Sequence, residues 1–147
     1  MRLTRYTDYS LRVLIYLGLQ PDRLSSIHEI ADAYDISESH LMKVVQALGH
    51  LGYVTTFRGR GGGIELAKPP EQKRIGEVVR CTEDDLALVE CFVESSGCRI
   101  EGPCRLRHVL REAIEAFLSV LDRYTLADLL QPKFKALRAN LGLTTSR

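Results

Sequence analysis

The chain has 147 residues, a mass of 16.6 kDa and a mean hydropathy of −0.08, the size and balance of one globular unit with room for a dimerising appendage. Its 20 basic and 19 acidic residues leave a net charge of +1, which excludes DNA binding by a polybasic tail but not by a local basic patch. The longest apolar run, Val13 to Leu17 and on through Gly18 to Leu19, falls far short of the roughly 20 residues of a membrane span. The charged start, MRLTRYTDYSLR, lacks a small-residue cleavage site, so a cytoplasmic protein with reduced thiols is expected.

Along the chain, Tyr9, Val13, Tyr16 and Leu17 share one face of a helix predicted over residues 7–19, with Thr7 as its N-cap, Asp8 in the first turn and Pro21 beyond its end. Ser26-Ile27-His28-Glu29 has the form of a capping box and opens a short helix through Tyr34. After the turn Asp35-Ile36, Ser37 caps a helix from Glu38 to about His50. Leu41, Val44, Val45 and Leu48 face inward on it. Tyr53 to Phe57 is β-branched and aromatic, and Ile64-Glu65-Leu66 returns after Arg58-Gly59-Arg60-Gly61-Gly62-Gly63, so a hairpin is predicted. Ile75, Val78 and Val79 mark another short helix up to Cys81, and residues 82–103 read as a loop. Leu106, Leu110, Ala113, Phe117, Leu121 and Tyr124 then form the stripe of a long helix, for which a second copy of the chain is the expected cover. Thr125 opens a last helical turn or two, and the tail after Asn140 is expected to fray.

Three helices and a hairpin in this order predict a mainly α chain. It comprises a winged helix-turn-helix over residues 1–80, a cysteine loop over 81–103, and a dimerisation helix with its tail over 104–147. The first 80 residues carry 11 Lys/Arg against 9 Asp/Glu and the remainder 9 against 10, so the basic excess lies in the first part. A helix fits the major groove and reads base edges with its N-terminal residues. The candidates here are Ser37, Glu38, Ser39, His40 and Lys43, with Gln46 one turn on. A solvated helix face is the plain alternative. At the hairpin tip, Arg58 and Arg60 among glycines suit a phosphate or a narrow minor groove, whereas a Walker loop would need Gly-Lys-Ser/Thr and a following helix.

Cys91, Cys98 and Cys104 fall in a Gly- and Ser-rich stretch with the spacing Cys-x6-Cys-x5-Cys. Thiolates are soft ligands for zinc or for iron–sulfur clusters, and redox-active thiols are the other reading. Cys81 stands apart at the end of an apolar turn and reads mainly as a core residue, with a fourth ligand or a reserve thiol as the other readings. Nothing local makes Asp8 more than a first-turn carboxylate. His28 and His50 read as structural or solvent-facing.

Thr7-Asp8-Tyr9, Leu11-Arg12, Leu14-Ile15-Tyr16, Gly52-Tyr53-Val54-Thr55, Arg58-Gly59, Gly62-Gly63, Arg74 to Arg80, Pro103-Cys104-Arg105-Leu106 and Tyr124 to Leu129 together resemble the iron–sulfur winged-helix regulators of transcription. Over about residues 1–130 the resemblance is closest to their nitric-oxide-sensing, NsrR-like branch. It implies a homodimeric repressor that binds an inverted-repeat DNA operator, is not an enzyme, and answers to nitric oxide. It further implies an iron–sulfur cluster, 4Fe–4S rather than 2Fe–2S, on Cys91, Cys98 and Cys104, with Asp8 of the other copy as fourth ligand. In the IscR-like branch a histidine three residues after the last cysteine serves instead, and here that position is Arg107. A regulator sensing cluster or iron status, or a thiol-redox or zinc DNA-binding protein, is the alternative.

Overall fold

The computed structural model describes residues 1–93 and 97–143, as α1 (Arg5–Gly18), α2 (Ile27–Tyr34), α3 (Glu38–His50), β1 (Val54–Phe57), β2 (Gly63–Leu66), α4 (Ile75–Thr82), α5 (Arg105–Asp122), α6 (Leu126–Leu130) and α7 (Phe134–Asn140). Among these residues no helix is long and apolar enough to cross a membrane.

The cap of α1 is Thr4 rather than Thr7. The Thr4 hydroxyl accepts the Thr7 N–H at 3.2 Å, and Thr4 itself is tied to Glu83, which accepts its N–H at 2.7 Å and its hydroxyl at 3.0 Å. Thr7 is instead wholly buried. Two threonines three residues apart offer two equivalent caps, and the contact with Glu83 at the end of α4 selects the earlier one. Asp8 remains in the first turn.

The capping box at Ser26 and Glu29 forms as the sequence predicts, and Asp35, in the left-handed region at φ 52°, ends α2. Ser37 caps α3 at the predicted residue. Val13, Leu14, Tyr16, Leu17 and Leu19 of the α1 segment pack with Ile30, Leu41, Val44, Val45 and Leu48 into one core. Each fully buried aliphatic side chain there contributes about 1.5–3 kcal/mol.

β1 and β2 pair antiparallel from Val54↔Leu66 to Phe57↔Gly63, and Ser25 pairs with Ile64 on the other edge of β2. The hairpin is thereby bonded to the chain entering α2. The turn between the strands needs its glycines: Gly59 and Gly61 have φ of +90° and +76°, and a Cβ on Gly62 would lie 2.2 Å from the Phe57 carbonyl oxygen.

α5 lies against α4 through a second cluster, in which Ile114, Phe117, Leu118 and Leu121 meet Ile75, Val79, Leu3, Leu11 and Leu86. The predicted stripe is therefore two faces side by side. Phe117 and Leu121 belong to the inner one, while Leu106, Val109, Val120 and Tyr124 remain exposed with Ala113. The chain then returns to the first core. Leu126 and Leu130 are buried in it, and α7, which sequence periodicity did not predict, brings Phe134, Leu137, Leu141 and Leu143 against it. The Arg138 guanidinium donates to the Leu19 carbonyl and to Gln20 Oε1. The expected fraying after Asn140 is thus corrected for Leu141 to Leu143, and residues 144–147 lie outside the described residues.

Candidate nucleic-acid interface and cysteine loop

The core residues of α3 fix which way its other side faces. Ser39, Lys43 and Gln46 form an exposed strip, with Ser37, Glu38 and His40 exposed around the helix start. The Ser37 hydroxyl accepts the His40 N–H at 3.4 Å and lies 3.4 Å from the Ser39 hydroxyl. Glu38 is held by the His28 ring, whose Nδ1 lies 2.7 Å from its Oε1. The His40 ring leans on Tyr9 of α1 at 6.4 Å between centroids. Lys43, Arg58 and Arg60 are exposed and make no ion pair among the described residues. Such unpaired cations on a convex strip and a hairpin tip are what a phosphate backbone neutralises. Two residues escaped the sequence reading. Met42, 58% exposed on the α3 strip, and Phe57, 45% exposed on β1, offer apolar contact of the kind a thymine methyl accepts. A large apolar side chain in phase with Ser39 and Lys43 was the available signal.

The cysteine segment spans the gap between α4 and α5. Cys91 sits half-buried in a single 3-10 turn, Glu90–Phe92, Cys98 is exposed, and Cys104 is the half-buried N-cap of α5. No disulfide joins the cysteines. Contacts that fasten the segment to α5 include Arg111 over the Phe92 ring, at 5.8 Å from its centroid, and the pair of Arg107 with Glu101. Cys91 and Cys104 are thus both tied to the first two turns of one helix. Among the described residues that helix start has neither a side-chain cap nor an acidic residue in its first turn.

Among the described residues, no three His, Cys, Asp or Glu side chains converge closely enough to hold a metal ion. Cys91, Cys98, Cys104 and Asp8 are therefore not brought together within one chain. Thiols gain nothing by converging without a cation, because ligand assembly and ion binding are a coupled equilibrium. The donor set fits a soft metal or cluster in chemistry, on a segment anchored at both ends. Asp8 is engaged elsewhere, in a two-pronged pair with Arg12 (Oδ1–Nε 3.1 Å, Oδ2–Nη2 3.0 Å), and Arg12 lies 5.7 Å over the Tyr34 ring.

Cys81 is exposed, which corrects its core reading, because α4 turns its apolar face to α1 and α5 and leaves Cys81 on the other side. Burial first, and then Cys81, push the Tyr53 pKa up to about 12. Lys73 Nζ lies 5.6 Å over the same ring, buried and with no hydrogen-bond partner among the described residues.

The clamp at the far end of α5 joins it to α4. Arg80 of α4 grips both oxygens of Asp122 at 2.6 and 2.7 Å, and Arg74 donates to the Asp122 carbonyl at 2.9 Å. Hydrogen bonding to Arg80 holds the Asp122 carboxyl below its ordinary range. Gly76 makes room for this: a Cβ there would stand 2.0 Å from Asp122 Oδ1.

Comparison with known proteins agrees with this arrangement. The family model for Rrf2, described as an iron-dependent transcriptional regulator, matches residues 3–132. The HTH-type transcriptional regulator NsrR of Bacillus subtilis (strain 168) is 58% identical over 135 residues, covering 90% of this chain and 92% of that protein. The structure of CymR (YrzC), the global cysteine regulator of B. subtilis, superposes with a TM-score of 0.73 at 28% identity, covering 88% of this chain and 95% of that one. T. potens IscR shares the fold, with a TM-score of 0.73 at 23% identity over 92% of this chain and 90% of that chain. With a capped third helix, a glycine-tipped wing and a match over nearly its whole length, the chain belongs to the Rrf2 family of DNA-binding, winged-helix transcriptional regulators.

Proposed function

We propose that this regulator is a cytoplasmic, homodimeric repressor that senses nitric oxide through an iron–sulfur cluster held by Cys91, Cys98 and Cys104. In this reading residues 1–80 form the reading head, 81–103 the sensing segment, and 104–147 the dimerisation helix and tail. The observation that carries it is the wiring of α5. The cysteine segment is fastened to the start of that helix by Phe92–Arg111 and Glu101–Arg107, and the end is fastened to the head by Asp122–Arg80. Cys91, Cys98 and Cys104 would hold the cluster, 4Fe–4S by resemblance with 2Fe–2S as the other nuclearity, and when bound it would supply iron open to nitric oxide.

The chain's own groups do the rest. Ser37, Glu38, Ser39, His40, Lys43 and Gln46 face a major groove, and Arg58 and Arg60 face phosphate or an adjacent minor groove. The exposed face of α5 packs on a second copy, so that two heads meet half-sites about one helical turn of DNA apart. Asp8 of the partner is the fourth ligand by resemblance, and to serve it must leave Arg12. The activity is binding, not catalysis.

Full-length protein purified without oxygen tests the reading. Visible absorption with iron and acid-labile sulfide are expected, and titration with nitric oxide is expected to release a bound operator in a gel shift. Colourless protein with zinc and no iron, or operator affinity unchanged after full reaction with nitric oxide, would refute it.

A further inference from the structure

A polar cluster ties Glu38, at the start of α3, to two residues of α2 that are not among the base-reading candidates, His28 and Asp32. His28, on the second residue of α2, reaches the first residue of α3. Its Nδ1 lies 2.7 Å from Glu38 Oε1, and its Nε2 lies 3.3 Å from Asp32 Oδ2 one turn along α2. Both ring nitrogens therefore face carboxylate oxygens. An ionised carboxylate only accepts, and a neutral imidazole has a single N–H, so the imidazolium alone satisfies both contacts.

All three side chains are more than half exposed. An exposed pair adds little to fold stability, so the place of this cluster matters more than its strength. It joins the two helices of the helix-turn-helix at the end of α3 that enters the groove. It also fixes one oxygen of Glu38, leaving the other directed by the held carboxylate.

We propose that His28 is a positioning residue for operator recognition, orienting Glu38 at the start of α3, and that operator affinity falls as rising pH takes the proton from its ring. The inference rests on α3 being the base-reading helix. The groups that face His28 are Glu38 from α3 and Asp32 and Glu29 from α2, with Glu29 already neutralised by Arg23 at 2.8 Å. The hydrogen bond that His28 donates to Glu38 first, and then the negative field of Asp32, hold the His28 pKa above its ordinary 6.5. Below that raised value the trio of His28, Asp32 and Glu38 carries one net negative charge. Above it the trio carries two, facing phosphates, and Glu38 loses a charged anchor. The affinity gained from protonation is therefore lost as pH rises through the folded-state value.

The test uses full-length protein prepared without oxygen and an operator selected from random duplexes by the parent protein. Affinity is read by fluorescence anisotropy at constant ionic strength from about pH 6 to about pH 9. The parent is expected to weaken on the order of threefold to tenfold, the consequence of about one charge at a phosphate face. His28→Lys is expected to keep the acidic-limb affinity with a flat profile, and His28→Gln to give a flat profile at the weaker limit. Glu38→Gln is expected to change the base preferred at one position of each half-site in a repeated selection. A flat parent profile, or a His28→Lys profile that tracks the parent, overturns the inference. Lys43→Ala separates the two levels. If it weakens binding while the parent profile is flat, only the role of His28 fails. If it leaves affinity and base preference intact, α3 is not the reading helix.

Discussion

Replacing Val120 with glutamate tests which face of α5 meets a second copy. Val120 is 44% exposed, on the side of α5 turned away from α4. Complete burial of a valine is worth about 1.5–3 kcal/mol, so covering its exposed part contributes about 1 kcal/mol. A two-fold interface uses the same patch from both copies, which brings the loss to about 2 kcal/mol per dimer. That is a roughly 30-fold weaker dimer before the cost of desolvating two carboxylates is added. Sedimentation equilibrium over a dilution series reads the constant directly. Ile114→Ala is the control, because Ile114 packs inward against Ile75 and Val79. It is expected to lower Tm with little change in dimer affinity. A Val120→Glu variant that dimerises as tightly as the parent, or a dimer broken by Ile114→Ala alone, would show that the exposed face is not the interface.

Arg60→Ala is expected to weaken operator binding and to lower the slope of log affinity against log salt by about one, measured by filter binding at several salt concentrations. Asp8→Ala removes the carboxylate from Arg12 and is expected to alter the visible spectrum of anaerobic protein or its rate of reaction with nitric oxide, with the far-ultraviolet circular dichroism unchanged. Gly76→Ala drives a methyl into the space of Asp122 Oδ1 and is expected to lower Tm and to weaken the response of operator affinity to nitric oxide. Lys73→Met keeps the stem and removes the buried ammonium. Burial lowers the Lys73 pKa, so the charged amine costs stability below its ordinary 10.5 and the cost fades as pH rises towards that value. The variant is expected to have the higher Tm near neutrality, the gap closing at alkaline pH in thermal melts.

The reading head was legible because its signals are local and agree with one another. Ser26 with Glu29, Ser37, the in-phase Leu41, Val44, Val45 and Leu48, and the glycines around Arg60 each fix an element within a few residues. What escaped was set by distant contacts. Thr4 rather than Thr7 caps α1 because Glu83, far along the chain, bonds Thr4. The apolar stripe of α5 divided in two because α4 claims Phe117, Leu118 and Leu121, and periodicity does not say which of two adjacent apolar strips meets the same chain. α7 is seven residues between Pro132 and Gly142, too short for a period to stand out, and it is held by Phe134 and Leu137 in a core built elsewhere. The three cysteines were conspicuous in the sequence, but their spacing does not say whether they come together, and the described residues do not bring them together.

α5 is suited to carry a signal because its two ends are fastened to different things. Its 18 residues span about 27 Å at 1.5 Å each, from the Cys104 cap to the Asp122 clamp. A rigid rod of that length converts a small tilt at the cysteine segment into a displacement of α4, where three hydrogen bonds from Arg80 and Arg74 grip Asp122. α4 packs directly on α1, and α1 packs directly on α3. Asp8 lies on that same α1, and its Arg12 partner rests on the Tyr34 ring at the end of α2. A new partner for Asp8 would free Arg12 at the joint between α1 and the helix-turn-helix. Two routes, one through α5 and α4 and one through Asp8 and Arg12, thus converge on the helix that supports α3. If both operate, Gly76→Ala and Asp8→Ala each leave part of the nitric oxide response, and only the double variant abolishes it. A full response in the double variant would place the coupling outside α1.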